Sequence, residues 1–174
     1  AHLQSNQVPS SDAALAAKAK ASQNRIQALF DKSNGTESIS GLRQEMMDTM
    51  EENVGIYRTG EGLAAACEKI AELRQRYANI TLTDKTHVYN TDLMQALELG
   101  SMLDCVEAVT VGARARKESR GAHQRLDFTA RDDENLLKHS LAHYHPTEPP
   151  RIEYLDVVVT KSKPGVRDYS GAKK

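Results

Sequence analysis

The sequence predicts an all-α protein, a helical bundle followed by an irregular segment that holds a β-rich run. Apolar residues recur at helical spacing over three long stretches between residues 40 and 118. Trp is absent and only two Phe occur, so the hydrophobic 39% of the 174 residues is mainly aliphatic, which is typical of helical bundles. After Gly121 the helical periodicity is lost.

The first predicted helix runs from Asp12 to Phe30 and is rich in Ala and Lys. Residues 1–11 are polar and are interpreted as a linker that ends in a helix cap. Asn34-Gly35 is expected to stop the helix. We therefore assign residues 1–36 to a linker and an N-terminal helix.

Two further helices are predicted before residue 78. The second helix begins near Ser40, and Gly55 ends or kinks it; the third is capped by Thr59. One side of the second helix carries Leu42, Met46, Met50, Val54 and Tyr57, and one side of the third carries Leu63, Ala66, Cys67, Ile70, Leu73 and Tyr77.

A long fourth helix is expected from a cap at Asn90 or Thr91 to about Glu118. It is apolar on two nearly opposite sides, so both sides need a covering partner. The second partner is either the N-terminal helix or something outside this chain. The two sides consist of Leu93, Ala96, Leu97, Gly100, Leu103 and Val111, and of Leu99, Met102, Val106, Val109 and Ala113.

The remainder, residues 121–174, is expected to be irregular or extended, whereas residues 37–120 form the bundle. Asp132 to His139 is predicted as a short helix. The β-rich run from Arg151 to Lys161 is predicted as a lone strand or an edge ribbon, and Lys163-Pro164-Gly165 begins an irregular tail.

Composition excludes several functional classes. The formal net charge of −1 gives no general attraction to nucleic acid or to an anionic membrane. No apolar run approaches the ~18 residues of a membrane span, and no signal-peptide pattern is present. An aqueous, cytosolic context is expected. Cys67 and Cys105 lie on apolar stripes and are expected to be buried packing residues.

Two short motifs are interpreted without a cofactor or a metal. Gly60-Glu61-Gly62 begins a loose GxGxxA pattern, but no strand precedes it, so we expect a turn between helices and no dinucleotide site. His139, His143 and His145 lack a carboxylate or thiol that would complete a metal site, so surface or interface histidines are expected.

The most informative segment, residues 114–135, is rich in charge. Cations at Arg114, Arg116 and Lys117 fall in the last turns of the long helix, where they suit its dipole. Three explanations remain open from the residues alone: an anion site, a charged surface for a partner, or an ion-pair network that pins an irregular segment to the helix end. The charged residues that follow are Arg120, His123, Arg125, Asp127, Asp132, Asp133 and Glu134.

This segment closely resembles the C-terminal region of succinate dehydrogenase and fumarate reductase flavoproteins. The resemblance is carried by Lys117-Glu118-Ser119-Arg120-Gly121-Ala122-His123, Arg125, Asp127-Phe128, Arg131-Asp132-Asp133-Glu134-Asn135 and Lys138-His139-Ser140-Leu141. Upstream, Gly55-Ile56-Tyr57-Arg58-Thr59 and Asn90-Thr91-Asp92-Leu93 are also similar to that family. The tail from Arg151 resembles bacterial fumarate reductases more closely.

The resemblance implies a three-helix up-and-down bundle, similar to a spectrin repeat, followed by an extended segment that wraps on the rest of the subunit. It also implies FAD in the full-length subunit, interconversion of succinate and fumarate, and an iron–sulfur subunit that relays electrons toward a quinone. The subunit would be cytoplasmic and held at the inner membrane through its partners. L-Aspartate oxidase, which has a similar helical domain, and a free-standing helical protein-binding module are the alternatives.

The family's flavin and dicarboxylate residues lie N-terminal to this chain, so no catalytic, cofactor-binding or metal-binding residue is assigned here. The charged segment is expected to be structural and interfacial. Its ion pairs are expected to be exposed, so loss of Arg120 or Arg131 should change the melting of this chain little. The predicted interface residues are Ser119, Arg120, His123, Arg125, Asp127, Arg131, Asp132, Asp133 and Asn135.

Overall fold

The computed structural model describes residues 12–162 and 165, and within them it confirms the predicted helical architecture. The helices are α1 (Asp12–Asp31), α2 (Ile39–Val54), α3 (Gly60–Tyr77) and α4 (Thr91–Ala115). Helices α2, α3 and α4 pack against one another in all three combinations and form the bundle. The predicted linker at residues 1–11 and the tail beyond Gly165 lie outside the described residues.

Side-chain caps explain where the bundle helices begin. Ser38 Oγ accepts from the Gly41 N–H, and Thr59 Oγ1 accepts from the Gly62 N–H. The Asn90 side chain accepts from the Leu93 N–H, so Asn90, and not Thr91, caps α4. Each cap satisfies an N–H that has no partner within its own helix.

The core of the bundle consists of two apolar clusters. The larger cluster joins all three bundle helices with the connection before α4, and Leu29 and Phe30 of α1 pack against it. The smaller cluster lies nearer the other end of the bundle and includes Met50 at its edge. The larger comprises Ile39, Leu42, Met46, Leu73, Ile80, Leu82, Ala96, Leu99 and Leu103; the smaller comprises Val54, Leu63, Ala66 and Ala113.

Helix α4 corrects the expectation of two opposite apolar sides. Its buried side combines residues from both predicted faces, including Ala96, Leu99 and Leu103, with the polar Glu107 and Thr110. The outer side carries the exposed Met94 and Cys105 and the half-buried Leu97, so Leu97 and Cys105 are not core residues. Helical spacing gives the angle between side chains but not the width of the face that neighbours cover. Helix α1 contacts the core only through its last turns, and it has no buried residue.

The described residues also form two small two-stranded sheets. Strand β1 (Tyr57–Arg58) pairs in parallel with β2 (Gln124–Arg125), and β3 (Lys138–His143) pairs in antiparallel fashion with β4 (Arg151–Asp156). The β-rich run that begins at Arg151 therefore supplies one strand of a two-stranded ribbon, which is the edge-ribbon alternative of the prediction. Tyr57 belongs to β1 and is 63% exposed, so it does not extend the apolar side of α2.

The predicted helix from Asp132 to His139 is wrong. The Asp132 carboxylate accepts from the Asn135 N–H and forms a turn. From Lys138 onward the chain pairs with β4 and does not continue a helical turn. The chain therefore leaves the turn as strand β3.

Helix α4 also ends three residues before the predicted Glu118. Arg116 has extended backbone angles, with φ −83° and ψ 104°.

No described helix is both long enough and apolar enough to cross a membrane.

Candidate functional site: the charged segment after α4

The charged segment, residues 114–135, begins in the last turn of α4 and lies against strand β1 and the start of α3. Ser119 closes a loop within it: the Ser119 N–H donates to the Ala130 carbonyl at 3.0 Å, and Ser119 Oγ donates to the Phe128 carbonyl at 2.8 Å. The Arg125 N–H in turn donates to Ser119 Oγ at 2.9 Å. The hydrogen bonds of Ser119 therefore close the loop formed by residues 119–130.

A tight turn follows Ser119. Arg120 and His123 exchange backbone hydrogen bonds of 2.8 and 3.0 Å. Gly121 within the turn has φ +60°, in the left-handed region that residues other than glycine rarely adopt. The turn directs the chain back so that Gln124 and Arg125 pair with β1.

Glu118 is the buried centre of the segment. Its side chain has 0% exposure, and it accepts from Arg116, from Arg120 Nε at 2.8 Å and from the Asp132 N–H at 2.8 Å. Burial alone would raise the pKa of Glu118, but the hydrogen bonds from Arg120, Asp132 and Arg116 together lower it below its ordinary value. Glu118 is therefore ionised, and its carboxylate binds both Arg116 and Arg120.

Arg125 and Asp127 join the ends of two helices. The Arg125 guanidinium, 2% exposed, donates to the α4 carbonyl of Ala113 and makes two 2.7 Å bonds to the Asp127 carboxylate. Asp127 Oδ2 accepts from the Gly60 N–H at 2.8 Å, at the first residue of α3. A cation at one helix C-terminus and an anion at another N-terminus both suit the helix dipoles. The hydrogen bonds from Arg125 hold the pKa of Asp127 well below its usual range.

Gly60 leaves room for this arrangement. A Cβ atom at position 60 would lie 2.9 Å from Asp127 Oδ2 and 3.2 Å from an Arg125 guanidinium nitrogen. The first glycine of the loose GxGxxA pattern therefore lets two side chains approach the start of α3. The prediction of a turn between helices is wrong for this pattern, because its residues form the first turns of α3 and the connection between the helices lies before them.

His123 lies among three arginines. Its Nδ1 accepts from Arg58 at 2.8 Å, and its Nε2 donates to the Arg116 carbonyl at 3.1 Å, so the ring is the neutral Nε2–H tautomer. Burial lowers the pKa of His123, and the charges of Arg58, Arg125 and Arg116 add to this effect. Arg58 also binds the carbonyls of Val54 and Gly55, which fixes the end of α2.

The outer part of the segment is more exposed. Arg131 pairs with Asp133 and donates to the Gly165 carbonyl at 2.7 Å. Asp133 is 44% exposed and also accepts from Arg120 at 2.7 Å. Asn135 donates to Asp132 through its N–H and its side-chain amide. These pairs form the rim around the buried Glu118.

The structure thus brings all nine predicted interface residues into one connected set, but it places them differently from the prediction. The expectation that the ion pairs are exposed is wrong for Arg120 and Arg125, because their partners include a fully buried carboxylate and helix-end carbonyls. It holds for Arg131. Sequence reasoning missed Glu118 as the centre and Arg58 as the partner of His123. The available signal was the position of Glu118 between two arginines.

This arrangement leaves little capacity for proton transfer or anion binding. The guanidinium groups of Arg116, Arg120, Arg125 and Arg131 all have partners within the described residues. Arginine does not lose its charge near neutral pH. Among the three explanations, the contacts support the ion-pair network that pins the segment to the helix end.

The other candidate residues also have ordinary surroundings. His143 pairs with Glu153 at 3.0 Å across the ribbon, and His145 Nδ1 accepts from the Glu148 N–H at 3.0 Å. The described residues contain no group of three or more potential metal ligands. Cys67 is partly buried and Cys105 is exposed, so the expectation of burial is wrong for Cys105. Both are free thiols.

Comparison with known proteins gives a consistent assignment. The family model described as "Fumarate reductase flavoprotein C-term" matches residues 43–169. The chain is 47% identical over 165 residues to the fumarate reductase flavoprotein subunit of a Serratia species, covering 94% of this chain and 27% of that protein. It is 36% identical over 153 residues to the succinate dehydrogenase flavoprotein subunit of Rickettsia bellii, covering 86% and 26% respectively.

A solved structure agrees with the sequence comparison. A chain of Escherichia coli quinol fumarate reductase, solved with an E245Q mutation, superimposes with a TM-score of 0.84 and 43% identity, over 89% of this chain and 27% of that one. The chain thus spans about a quarter of the length of the relatives that it matches. The chain therefore belongs to the family of fumarate reductase flavoprotein C-terminal domains, and it is closer to fumarate reductases than to succinate dehydrogenases.

Proposed function

We propose that this chain is the C-terminal helical domain of a flavoprotein subunit that interconverts succinate and fumarate. In the full-length subunit an N-terminal domain would carry FAD, and an iron–sulfur subunit would exchange electrons with it and with a quinone. The names of the relatives support this, and they favour it over an L-aspartate oxidase. The quarter-length match favours a domain of a larger protein over a free-standing binding module. The complex would lie on the cytoplasmic side of the inner membrane, held there by partner subunits.

Within that subunit we assign this domain a structural and interfacial role. The observation that carries the assignment is that the family motif is bonded to its own chain. Glu118 and Asp127 use their carboxylates on arginines and backbone N–H groups. We propose that the bundle, residues 37–120, supports the segment, and that residues 121–174 face the rest of the subunit.

The start of α3, which carries the loose GxGxxA pattern, does not fit an FAD pyrophosphate. A helix N-terminus that binds phosphate must offer free N–H groups. At the start of α3 the Gly60 N–H donates to Asp127, and the Gly62 N–H donates to Thr59. We therefore place the flavin in the part of the subunit N-terminal to this chain.

The neighbouring apolar side chains are the contacts that we propose for the partner domain. Tyr57 and Leu126 are 63% and 55% exposed. Tyr57 lies opposite Gln124 in the parallel pair, and Leu126 follows two residues later. Alternate residues of a strand share a face, so Tyr57 and Leu126 lie on the same outer face. Apolar side chains on a charged rim suit a domain interface.

The experiment compares the full-length subunit with the isolated chain. The full-length protein should carry FAD and interconvert succinate and fumarate, whereas the isolated chain should bind no FAD and catalyse neither reaction. Flavin bound one-to-one by the isolated chain would contradict the placement of the cofactor.

A binding measurement tests the interface separately. The isolated chain is titrated into the separately expressed N-terminal part of the subunit. Tyr57→Ser combined with Leu126→Ser should weaken binding, whereas the control Met47→Ser, on the outer side of α2 and 50% exposed, should not. Equal binding by both variants would exclude this surface.

A further inference from the structure

The two edges of the β3–β4 ribbon differ in what binds them. Lys138 of β3 donates its N–H to the Leu136 carbonyl at 2.7 Å, and its carbonyl accepts from Arg116 at 2.7 Å. Arg116 also donates to Ser140 Oγ at 2.8 Å. The beginning of the β3 edge is therefore covered by groups of the same chain.

The opposite edge, on β4, has no partner among the residues that the structure describes. Lys138 lies opposite Asp156, yet both backbone groups of Lys138 bind partners outside the ribbon. Lys138 and Asp156 therefore form a pair without hydrogen bonds to each other. In an antiparallel ladder, pairs of this kind alternate with hydrogen-bonded pairs. The same alternation turns the N–H and C=O groups of Ile152, Tyr154 and Asp156 away from β3. Apart from the ribbon's own pairing, no residue among 12–162 and 165 hydrogen-bonds to the backbone of β4.

The side chains around this edge are suited to strand pairing. Leu155, Val158 and Val159 are 56%, 82% and 46% exposed, and β-branched residues favour extended structure. The six residue pairs of the ribbon are continuous, without a bulge, and no proline interrupts β4. Proteins commonly protect a free edge by a bulge or a proline. An edge without a bulge or a proline is therefore a template for a further strand, although Arg151, Glu153 and Asp156 give β4 charged side chains as well.

We propose that a strand from the N-terminal part of the full-length subunit pairs with the free edge of β4. This rests on the proposed function, in which about three quarters of the subunit lies outside this chain, as the 27% coverage of the Serratia relative indicates. The family description places the missing part N-terminal to the bundle. A strand in the same polypeptide has a high effective concentration, which favours it over a second copy of this chain. Backbone pairing would supply the affinity, as in other cases of strand addition.

Hydrogen exchange tests this proposal at single amides. The Ile152 and Asp156 amides should exchange about tenfold or more slowly in the full-length subunit than in the isolated chain, as expected when an edge N–H gains a hydrogen bond. Tyr154→Pro removes one outward N–H and should abolish this protection. Tyr154→Ala is the matched control, because it removes the ring that lies under Arg116 but keeps the N–H.

Each outcome has one meaning. Equal exchange in the full-length subunit and the isolated chain would overturn the proposal. Protection that appears in the isolated chain and rises with its concentration would identify a second copy as the partner, which would also overturn it. FAD content is measured on the same full-length sample: flavin without amide protection refutes this inference alone, whereas absence of flavin refutes the proposed function.

Discussion

Removing Arg120 tests whether Glu118 is a buried, shared anchor. Arg120 supplies two bonds to the Glu118 carboxylate, of 2.8 and 3.0 Å, and Glu118 is 0% exposed. In Arg120→Ala the carboxylate keeps its bonds to Arg116 and to the Asp132 N–H. Breaking a buried pair costs about 3–5 kcal/mol. Because Arg116 remains, we expect the lower end of that range, about 3 kcal/mol.

The assay is urea unfolding of the isolated chain. With an m-value of about 2 kcal/mol/M, a loss of about 3 kcal/mol lowers the urea midpoint by about 1.5 M. Arg131→Ala is the matched control, because it removes the same residue type from the same segment but breaks an ion pair to the 44% exposed Asp133. Its midpoint should be unchanged. Equal midpoints for Arg120→Ala and wild type would refute the reasoning that Glu118 depends on Arg120.

Three further predictions concern stability. Ile70→Ala should lower the unfolding free energy by about 2–5 kcal/mol in urea unfolding, since Ile70 is 0% exposed and its loss opens a cavity; a loss below about 1 kcal/mol would contradict its burial. Gly60→Ala should lower the melting temperature, because its Cβ would lie 2.9 Å from Asp127 Oδ2; an unchanged value would contradict the close approach. The lowered pKa of His123 means that the unfolded chain binds its proton first, so stability should fall as pH drops below about 6.5. Unfolding measured between pH 7.5 and 5.5 should show this fall, and His123→Gln should lose that part of it.

The helices could be predicted from sequence because their signals are local. Ser38, Thr59 and Asn90 cap by bonds to N–H groups only three residues away. Apolar spacing likewise identified Leu63, Ile70 and Leu73 as buried. The exposed side of α4 could not be predicted, because the exposure of Cys105 depends on which neighbours pack against the helix.

The charged segment could be recognised from the sequence, but the contacts between its residues could not be predicted. Its bonds join residues far apart in the chain: Asp127 binds Gly60, and His123 binds Arg58. The false helix near Asp132 has the same cause, because residues 138–143 pair with a strand later in the chain. Local propensity has no information about such partners.

The central claim is that this segment holds the domain together and does not take part in chemistry. Its most direct test is turnover per bound flavin in the assembled full-length Arg120→Ala enzyme, measured with FAD content and substrate affinity. We predict reduced flavin retention or assembly, with turnover per bound flavin close to that of wild type. A fully flavinylated enzyme that binds substrate normally but turns over about a thousandfold more slowly, as on loss of a general acid or base, would contradict the claim.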